Sequence, residues 1–363
     1  MNASAAARTA QGRLPSIDAL RGVSVAAMLL VNDPGDWGHV YAPLRHSEWN
    51  GCTPTDLIFP FFLYIVGVST SLSIGARAEA GVAPVALRRL VLLRAMRIVL
   101  LGLALNALAL IAFHSPHFRV MGVLQRIGLC YLAAGLIAIY SRPRSQWLLI
   151  AGLLVGYWAV VALSGGSEPG TNIASRIDTR VFGPLNYEFD PATGRGHDPE
   201  GLLSTLPAIA TTLLGMHAGR WLRTRAHGRL WIAAGVALVA GLAWSSVFPF
   251  NKNLWTSSFV LWTAGWALLA VAISHALIDV RGWHPLGRSL GVNAITAYAG
   301  AALMVYVLVG SGASELIYTR GFADWMTPRF GPFVPSLVYA LCFTAFWWVL
   351  LWPLDRRGVR IGI

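Results

Sequence analysis

Charged residues are scarce in this chain of 363 residues, where they make up 12% against 56% hydrophobic residues. A soluble domain of this length needs far more charge on its surface to stay in solution. The apolar residues also gather into blocks of roughly 18 to 22, long enough to cross a hydrocarbon layer of about 30 Å as a helix. A soluble globular protein is therefore excluded, and an integral membrane protein is indicated.

Cysteine is also rare, and its spacing is uninformative. Cys52, Cys130 and Cys342 are the chain's three cysteines, and they match no metal-binding or disulfide pattern. We expect no metal site. Cys52 follows His46 by six residues, but no second feature supports a thiolate there, so a cysteine nucleophile is disfavoured.

Unbroken apolar runs predict an all-α, polytopic helix bundle, because only helices and closed barrels satisfy their backbone groups in lipid. No internal repeat of fixed period is visible, which gives no support to an inverted-repeat transporter. We interpret residues 1–363 as a single transmembrane domain. About ten transmembrane helices are predicted, at residues 17–36, 57–76, 90–112, 121–140, 147–164, 202–220, 230–248, 257–279, 290–309 and 333–352.

The net charge of +12 does not indicate nucleic-acid binding, because the basic residues lie in short loops between apolar blocks. Ten spans put both termini on one side. If that side is the cytoplasm, the inner segments hold 19 of the 28 lysines and arginines, as the positive-inside rule requires. These are Arg8, Arg13, Arg21, Arg77, Arg88, Arg89, Arg94, Arg97, Arg142, Arg144, Arg220, Arg223, Arg225, Arg229, Arg281, Arg288, Arg356, Arg357 and Arg360.

Two longer outer connections are predicted, at residues 33–54 and at residues 165–201, the latter an irregular loop. The first is dense in hydrogen-bonding groups, and polar groups beside apolar spans are candidates for function. Histidine is the natural proton acceptor near neutral pH, and His46 is one of five outer histidines. Trp49 can contact a sugar ring or belong to the aromatic belt of the interface.

Other polar residues lie at helix ends or within spans. Asp18 and Arg21, three residues apart, can form an ion pair or contact an anionic ligand. Amide, guanidinium and ammonium groups can hold the amides or phosphates of a ligand, or join helices, which is commoner inside membranes. Candidates of this kind are Gln125, Arg126, Asn251, Lys252 and Asn293.

Taken in order, these clusters resemble the transmembrane acyltransferase family of heparan-alpha-glucosaminide N-acetyltransferase and its bacterial homologues. The resemblance runs from residue 16 to about residue 298 and rests on seven stretches. They are Ser16-Ile17-Asp18-Ala19-Leu20-Arg21-Gly22, Val31-Asn32, His46-Ser47-Glu48-Trp49-Asn50-Gly51, Asp56-Leu57-Ile58-Phe59-Pro60, Gly122-Val123-Leu124-Gln125-Arg126, Asp198-Pro199-Glu200-Gly201 and Asn251-Lys252-Asn253-Leu254-Trp255.

The resemblance implies that acetyl-CoA in the cytosol donates its acetyl group to an amine on the far side of the membrane. The acceptor is glucosamine or a glucosamine-containing saccharide, and the location is the inner membrane of a bacterium. His46 is implied as general base or acyl carrier, and Asn32 as donor to the thioester oxygen. We expect acceptor contacts from Trp49, Asn50, Asp56, Asp198, Glu200, Asn251 and Lys252. Donor contacts are expected from Arg21, Arg88, Arg89, Gln125, Arg126 and Asn293.

Alternatives remain open at this point. An O-acetyltransferase of envelope polysaccharide would use the same groups, and a sugar or muropeptide transporter would release no CoA. The inner arginines can serve as topology determinants rather than phosphate ligands. Membrane lipid is an expected partner, and a homodimer is left open.

Overall fold

The computed structural model of the protein describes residues 14–361, so Arg8 and Arg13 lie outside the described residues. Its strands are β1 (Glu188–Asp190) and β2 (Arg195–His197), and short 3-10 turns occur at Ala42–Leu44 and Gly183–Leu185. Its helices are α1 (Pro15–Asn32), α2 (Thr55–Glu79), α3 (Pro84–Ala112), α4 (Val123–Tyr140), α5 (Pro143–Leu163), α6 (Ile173–Phe182), α7 (Thr205–Arg223), α8 (Gly228–Ser245), α9 (Ser257–Val280), α10 (Arg288–Val292), α11 (Ala294–Gly310), α12 (Ala313–Phe330) and α13 (Phe333–Arg356).

Within residues 14–361, seven helices are long and apolar enough to cross a membrane, namely α2, α3, α4, α5, α8, α9 and α13. The pair α11 and α12 passes the same test together, but the chain bends by 94° between them. α1 and α7 are of similar length and more polar. Nine of the ten predicted spans each overlap one helix, whereas the span predicted at 290–309 covers two, α10 and α11, which are separated at Asn293. The chain is a multi-pass helical membrane protein. Ten membrane crossings and cytoplasmic termini remain predictions.

The connection at residues 165–201 is more ordered than the irregular loop predicted from its Gly, Pro, Asp and Asn content. It contains α6, whose first turn is capped where Asn172 Oδ1 accepts from the Ser175 amide at 2.8 Å. It also contains the antiparallel hairpin of β1 and β2, whose turn is closed by Asp190 and by Gly194 at φ 64°. The Asn, Asp and Gly residues of this connection thus cap a helix and close a hairpin turn.

Glycines let the central helices approach closely. A Cβ on Gly291 of α10 would lie 1.7 Å from the backbone oxygen of Asp18 on α1, and one on Gly67 of α2 would lie 1.9 Å from that of Thr212 on α7. Small residues at such crossings are how helices pack tightly in lipid. They fix α1 and α2, two helices that line much of the cavity described below.

Contacts between distant helix ends define two ends of the bundle. At the first, Arg223 at the end of α7 binds Glu79 at the end of α2 at 2.8 Å. The Ser16 amide at the start of α1 donates to Asp279 near the end of α9 at 3.2 Å. We name this the arginine-rich end. The opposite end, formed by the loops at 33–54, 165–201 and 246–256, is the loop end.

Candidate active site

A cavity of about 880 Å³ extends through the bundle from one end to the other. Arg21 lines its arginine-rich end and Asn32 its loop end, and eleven residues of α1 separate them, a rise of about 16 Å. The middle is mainly apolar, with walls that include Phe59, Phe62 and Ile98. The polar lining at the loop end includes Asn32, His46, Thr55, Glu200 and Lys252, and at the other end it includes Asp18, Arg21, Arg77, Arg94 and Arg360.

His46 lies at the loop end and is held by Asp56 from the start of α2. Its Nδ1 is 2.7 Å from Asp56 Oδ1, and the Asp56 side chain is fully buried. Asp56 Oδ2 accepts from the amide and hydroxyl of both Ser47 and Thr53, at 3.0–3.1 Å. Because a carboxylate only accepts, Nδ1 carries the proton and Nε2 keeps the lone pair. About half of the His46 side chain is exposed, so Nε2 can meet a ligand.

Lys252 completes the loop end of the cavity. Its Nζ is 3.1 Å from His46 Nδ1, 3.2 Å from Nε2 and 3.9 Å from Asp56 Oδ1. Because Nδ1 bears a proton, the lysine can donate only to Nε2. Burial lowers the pKa of Lys252 below its usual value, although Glu200 and Asp56 act in the opposite direction.

Two neighbouring loops hold the loop at residues 33–54, here called the His46 loop, in place. The Gly51 amide donates to the Phe250 oxygen at 2.7 Å, and Asn251 Nδ2 donates to Asn50 Oδ1 at 3.1 Å. Trp49 Nε1 donates to the Ser167 oxygen at 2.9 Å, and its ring meets His197 edge-on. Trp49, Asn50 and Asn251, predicted to contact the acceptor, thus join loops, and none of the three lines the cavity.

Arg119, which was not predicted from the sequence, bridges the acidic pair Asp198 and Glu200. Arg119 Nη2 is 2.7 Å from Asp198 Oδ1 and also binds Glu200. Burial alone would raise the pKa of Glu200, but Arg119 and Arg126 lower it below its usual value. Of the predicted acidic ligands only Glu200 reaches the cavity. The available signal was an arginine in a segment predicted to lie outside, where the positive-inside rule disfavours it.

Of the six predicted donor ligands, five do not line the cavity, and Arg21 does. Gln125 Nε2 donates to the Val120 oxygen at 3.0 Å, and Asn293 Oδ1 accepts from the Ile361 amide at 2.9 Å. Arg88 and Arg89 are exposed on α3, about 120° and 140° around the helix from Arg94, which does line the cavity.

Arg126 is a further predicted donor ligand that is used structurally. Its guanidinium is fully buried, donates to the Gly201 oxygen and to Ser204, and lies 5.1 Å from the centre of the Trp255 ring. By contrast, Arg21 lines the cavity while binding Asp18 at 2.9 Å and Ser69 at 2.7 Å. Arg21 can therefore form the ion pair with Asp18 and face the cavity at the same time.

Cys52 lies close to His46 in sequence but is not activated. Burial, reinforced by Asp56, raises the pKa of its thiol to about 12, so it remains protonated at neutral pH. Across residues 14–361, no group of three or more His, Cys, Asp or Glu side chains is arranged to hold a metal ion.

Fold and site together define a multi-pass helical membrane protein with a buried-carboxylate–histidine pair at one end of a bundle-length cavity. Residues 13–246 match the family model described as heparan-alpha-glucosaminide N-acetyltransferase, catalytic, and the chain belongs to that family. The family resemblance drawn from seven stretches of sequence is therefore confirmed.

Two curated relatives carry the same name. Heparan-alpha-glucosaminide N-acetyltransferase of Homo sapiens is 27% identical over 355 residues, which cover 79% of this chain and 52% of the relative. The Mus musculus protein of that name is 25% identical over 361 residues, covering 81% and 54%. The chain thus spans about half the length of the curated relatives it matches.

Proposed function

We propose that the chain is a transmembrane N-acetyltransferase that moves acetyl from cytosolic acetyl-CoA to the amine of glucosamine or a glucosamine-containing saccharide across the membrane. The observation that carries the proposal is the cavity that joins the arginine-rich end to His46. The names of the family and of its two relatives, which state N-acetyl transfer to a glucosaminide, support the choice of reaction.

The proposed orientation has ten spans, with both termini and the arginine-rich end in the cytoplasm. The surplus of arginine at that end supports it through the positive-inside rule. We further propose the inner membrane of a bacterium as the location. The loop end, with His46 and Glu200, then faces the periplasm.

The donor is proposed to bind with its phosphates at the arginine-rich end and its thioester near His46. Arg21, Arg77 and Arg94 line that end of the cavity, and guanidinium groups bind phosphate well. The apolar middle accepts the uncharged pantetheine arm. Arg88 and Arg89 would attract the donor at longer range, while Gln125, Arg126 and Asn293 would support the cavity wall.

In the proposed reaction, His46 Nε2 takes a proton from the acceptor ammonium, and the freed amine attacks the thioester carbonyl. Asn32 lines the same end of the cavity and would donate to the oxygen on which negative charge develops. Asp56 would hold the imidazole in the tautomer that acts as base, a positioning role rather than the predicted sugar contact. Glu200 would contact the acceptor.

The experiment that tests this function measures thiol release and product from acetyl-CoA with glucosamine and with N-acetylglucosamine. We expect thiol release and acetyl on nitrogen with glucosamine, and neither with N-acetylglucosamine, whose amine is already blocked. Acetylated hydroxyl groups on N-acetylglucosamine would indicate an O-acetyltransferase. Sugar uptake without thiol release would indicate a transporter.

A further inference from the structure

Lysine occurs once in this chain. Of its 28 lysines and arginines, 27 are arginine, and the exception is Lys252. Arginine stays protonated in proteins, whereas a lysine amine can lose its proton and act as a nucleophile. The chain's one lysine side-chain amine therefore lies at the loop end of the cavity.

The surroundings of Lys252 are those that amine acetylation requires. Nζ is 3.2 Å from Nε2 of His46, within reach of the proposed general base. Both residues line the cavity through which the donor would present its thioester. A thioester close enough to be served by His46 therefore also lies close to the lysine amine.

We propose, building on the acetyl-transfer function above, that Lys252 is a self-acetylation site, which takes the acetyl group from acetyl-CoA when no sugar amine is bound. In chemical terms the ammonium of Lys252 resembles the ammonium of an amino sugar, and it occupies the position beside His46 that the acceptor needs. The sugar would displace this amine during normal turnover and so protect it.

The step balances without a further reactant. The Lys252 ammonium gives one proton to His46, which passes it to solvent on its exposed side, and the neutral amine attacks the thioester carbonyl. The C–S bond breaks as the amide C–N bond forms, and the second amine proton leaves through His46 to the CoA thiolate. The products are acetyl-lysine, CoA thiol and one proton. Burial, which lowers the pKa of Lys252, makes the neutral amine easier to reach.

The modification would inactivate the enzyme. Acetylation removes the positive charge that faces Glu200 and Asp56, and the added acetyl group fills the loop end of the cavity. Because an amide is stable to hydrolysis, the modified chain would not return to the cycle. Loss of activity during exposure to donor alone is therefore the functional signature.

The test uses the purified full chain, with a lysine-free tag, and acetyl-CoA carrying isotopically labelled acetyl. Without sugar, mass spectrometry should find one labelled acetyl on the peptide that contains Lys252, and preincubation should lower the later rate on glucosamine in proportion to the labelled fraction. Glucosamine present from the start should suppress the label. Lys252→Arg keeps the charge, and the variant should carry no label at position 252. Preincubation with acetyl-CoA should not lower the variant's rate on glucosamine relative to the same variant without preincubation.

Enzymatic modification is separated from spontaneous chemistry by His46→Ala and by detergent-unfolded wild type, both of which should label far more slowly. Equal labelling in these samples would overturn the proposal. So would acetyl transfer to glucosamine with Lys252 left unlabelled, a result that leaves the proposed function standing. Absence of thiol release even with glucosamine would reject the proposed function, and the self-acetylation with it.

Discussion

His46 gains its orientation from a buried acid ten residues later. Asp56 accepts from five donor groups, one on His46 and two each on Ser47 and Thr53. A carboxylate so surrounded has one stable position, and through it the imidazole has one ring orientation. The chemistry proposed for His46 therefore depends on a residue that itself does not line the cavity.

The first prediction concerns His46 itself. Replacing it with alanine removes the proposed base, so His46→Ala should lower the rate of acetyl transfer by on the order of 10² to 10⁴. Binding of acetyl-CoA should persist, because the donor's phosphates are proposed to bind at the other end of the cavity. The measurements are turnover on glucosamine and donor affinity of the same preparation. Near wild-type turnover would reject the assignment.

The second prediction concerns Asp56. Asp56→Asn replaces one carboxylate oxygen with an NH₂ group, although His46, Ser47 and Thr53 all donate to this side chain. At least one hydrogen bond is therefore lost, and the proton of His46 is no longer held on Nδ1. We expect kcat to fall at least about tenfold, with little change in KM for acetyl-CoA. Kinetics and a melting temperature measured together separate this from unfolding. An unchanged kcat would mean that Asp56 is structural alone.

The site could be predicted only in part at this scale. His46 and Asn32 were named from the resemblance of their stretches to the family's motifs, and both line the loop end of the cavity. Arg119 was not named, because its partners lie 79 and 81 positions away and nothing local indicates them. Asp56 was named as an acceptor contact, and its hydrogen bond with His46 was not predicted, since that bond depends on how the loop folds back.

At the scale of elements, α3 shows why the arginines of one helix are not equivalent. Arg94 and Ile98, four residues apart, share the face that lines the cavity. Arg88 and Arg89 lie on other faces and are exposed. The three arginines are positively charged at the same end of the bundle, so their positions around the helix decide which of them can contact a ligand in the cavity.

The third prediction uses this difference. Arg94→Gln should raise KM for acetyl-CoA by about ten- to a hundredfold, as loss of a charged hydrogen bond to phosphate would. KM for glucosamine should stay nearly constant, because the acceptor is proposed to bind at the opposite end. Arg88→Gln is the matched control, with the same charge change on the same helix, and it should have a smaller effect. Equal shifts in the two variants would point to long-range attraction instead of contact.

At the scale of the whole molecule, the cavity connects two chemically different ends. Cations line one end, His46 and Glu200 the other, and apolar side chains the middle. A donor with charges at one end and its thioester at the other matches this order. Neither substrate would need to cross the membrane.

The fourth prediction tests this arrangement in sealed right-side-out vesicles loaded with acetyl-CoA. Glucosamine added outside should appear as N-acetylglucosamine outside, with free CoA inside and no entry of sugar, because the loop end faces outward in the proposed orientation. Vesicles with His46→Ala should form no product. Product found only inside would contradict the transmembrane mechanism, even if His46 were essential.

The sequence alone determined the helices, because apolar runs in lipid must satisfy their backbone groups internally, and that requirement is local to each segment. It also determined the arginine distribution and the family, because both depend only on the order of residues along the chain. Only the tertiary structure decided which polar groups meet. Lys252 comes 206 positions after His46, and their contact depends on how the 246–256 loop packs against the His46 loop. The cavity is likewise a space between helices, which no single segment encodes.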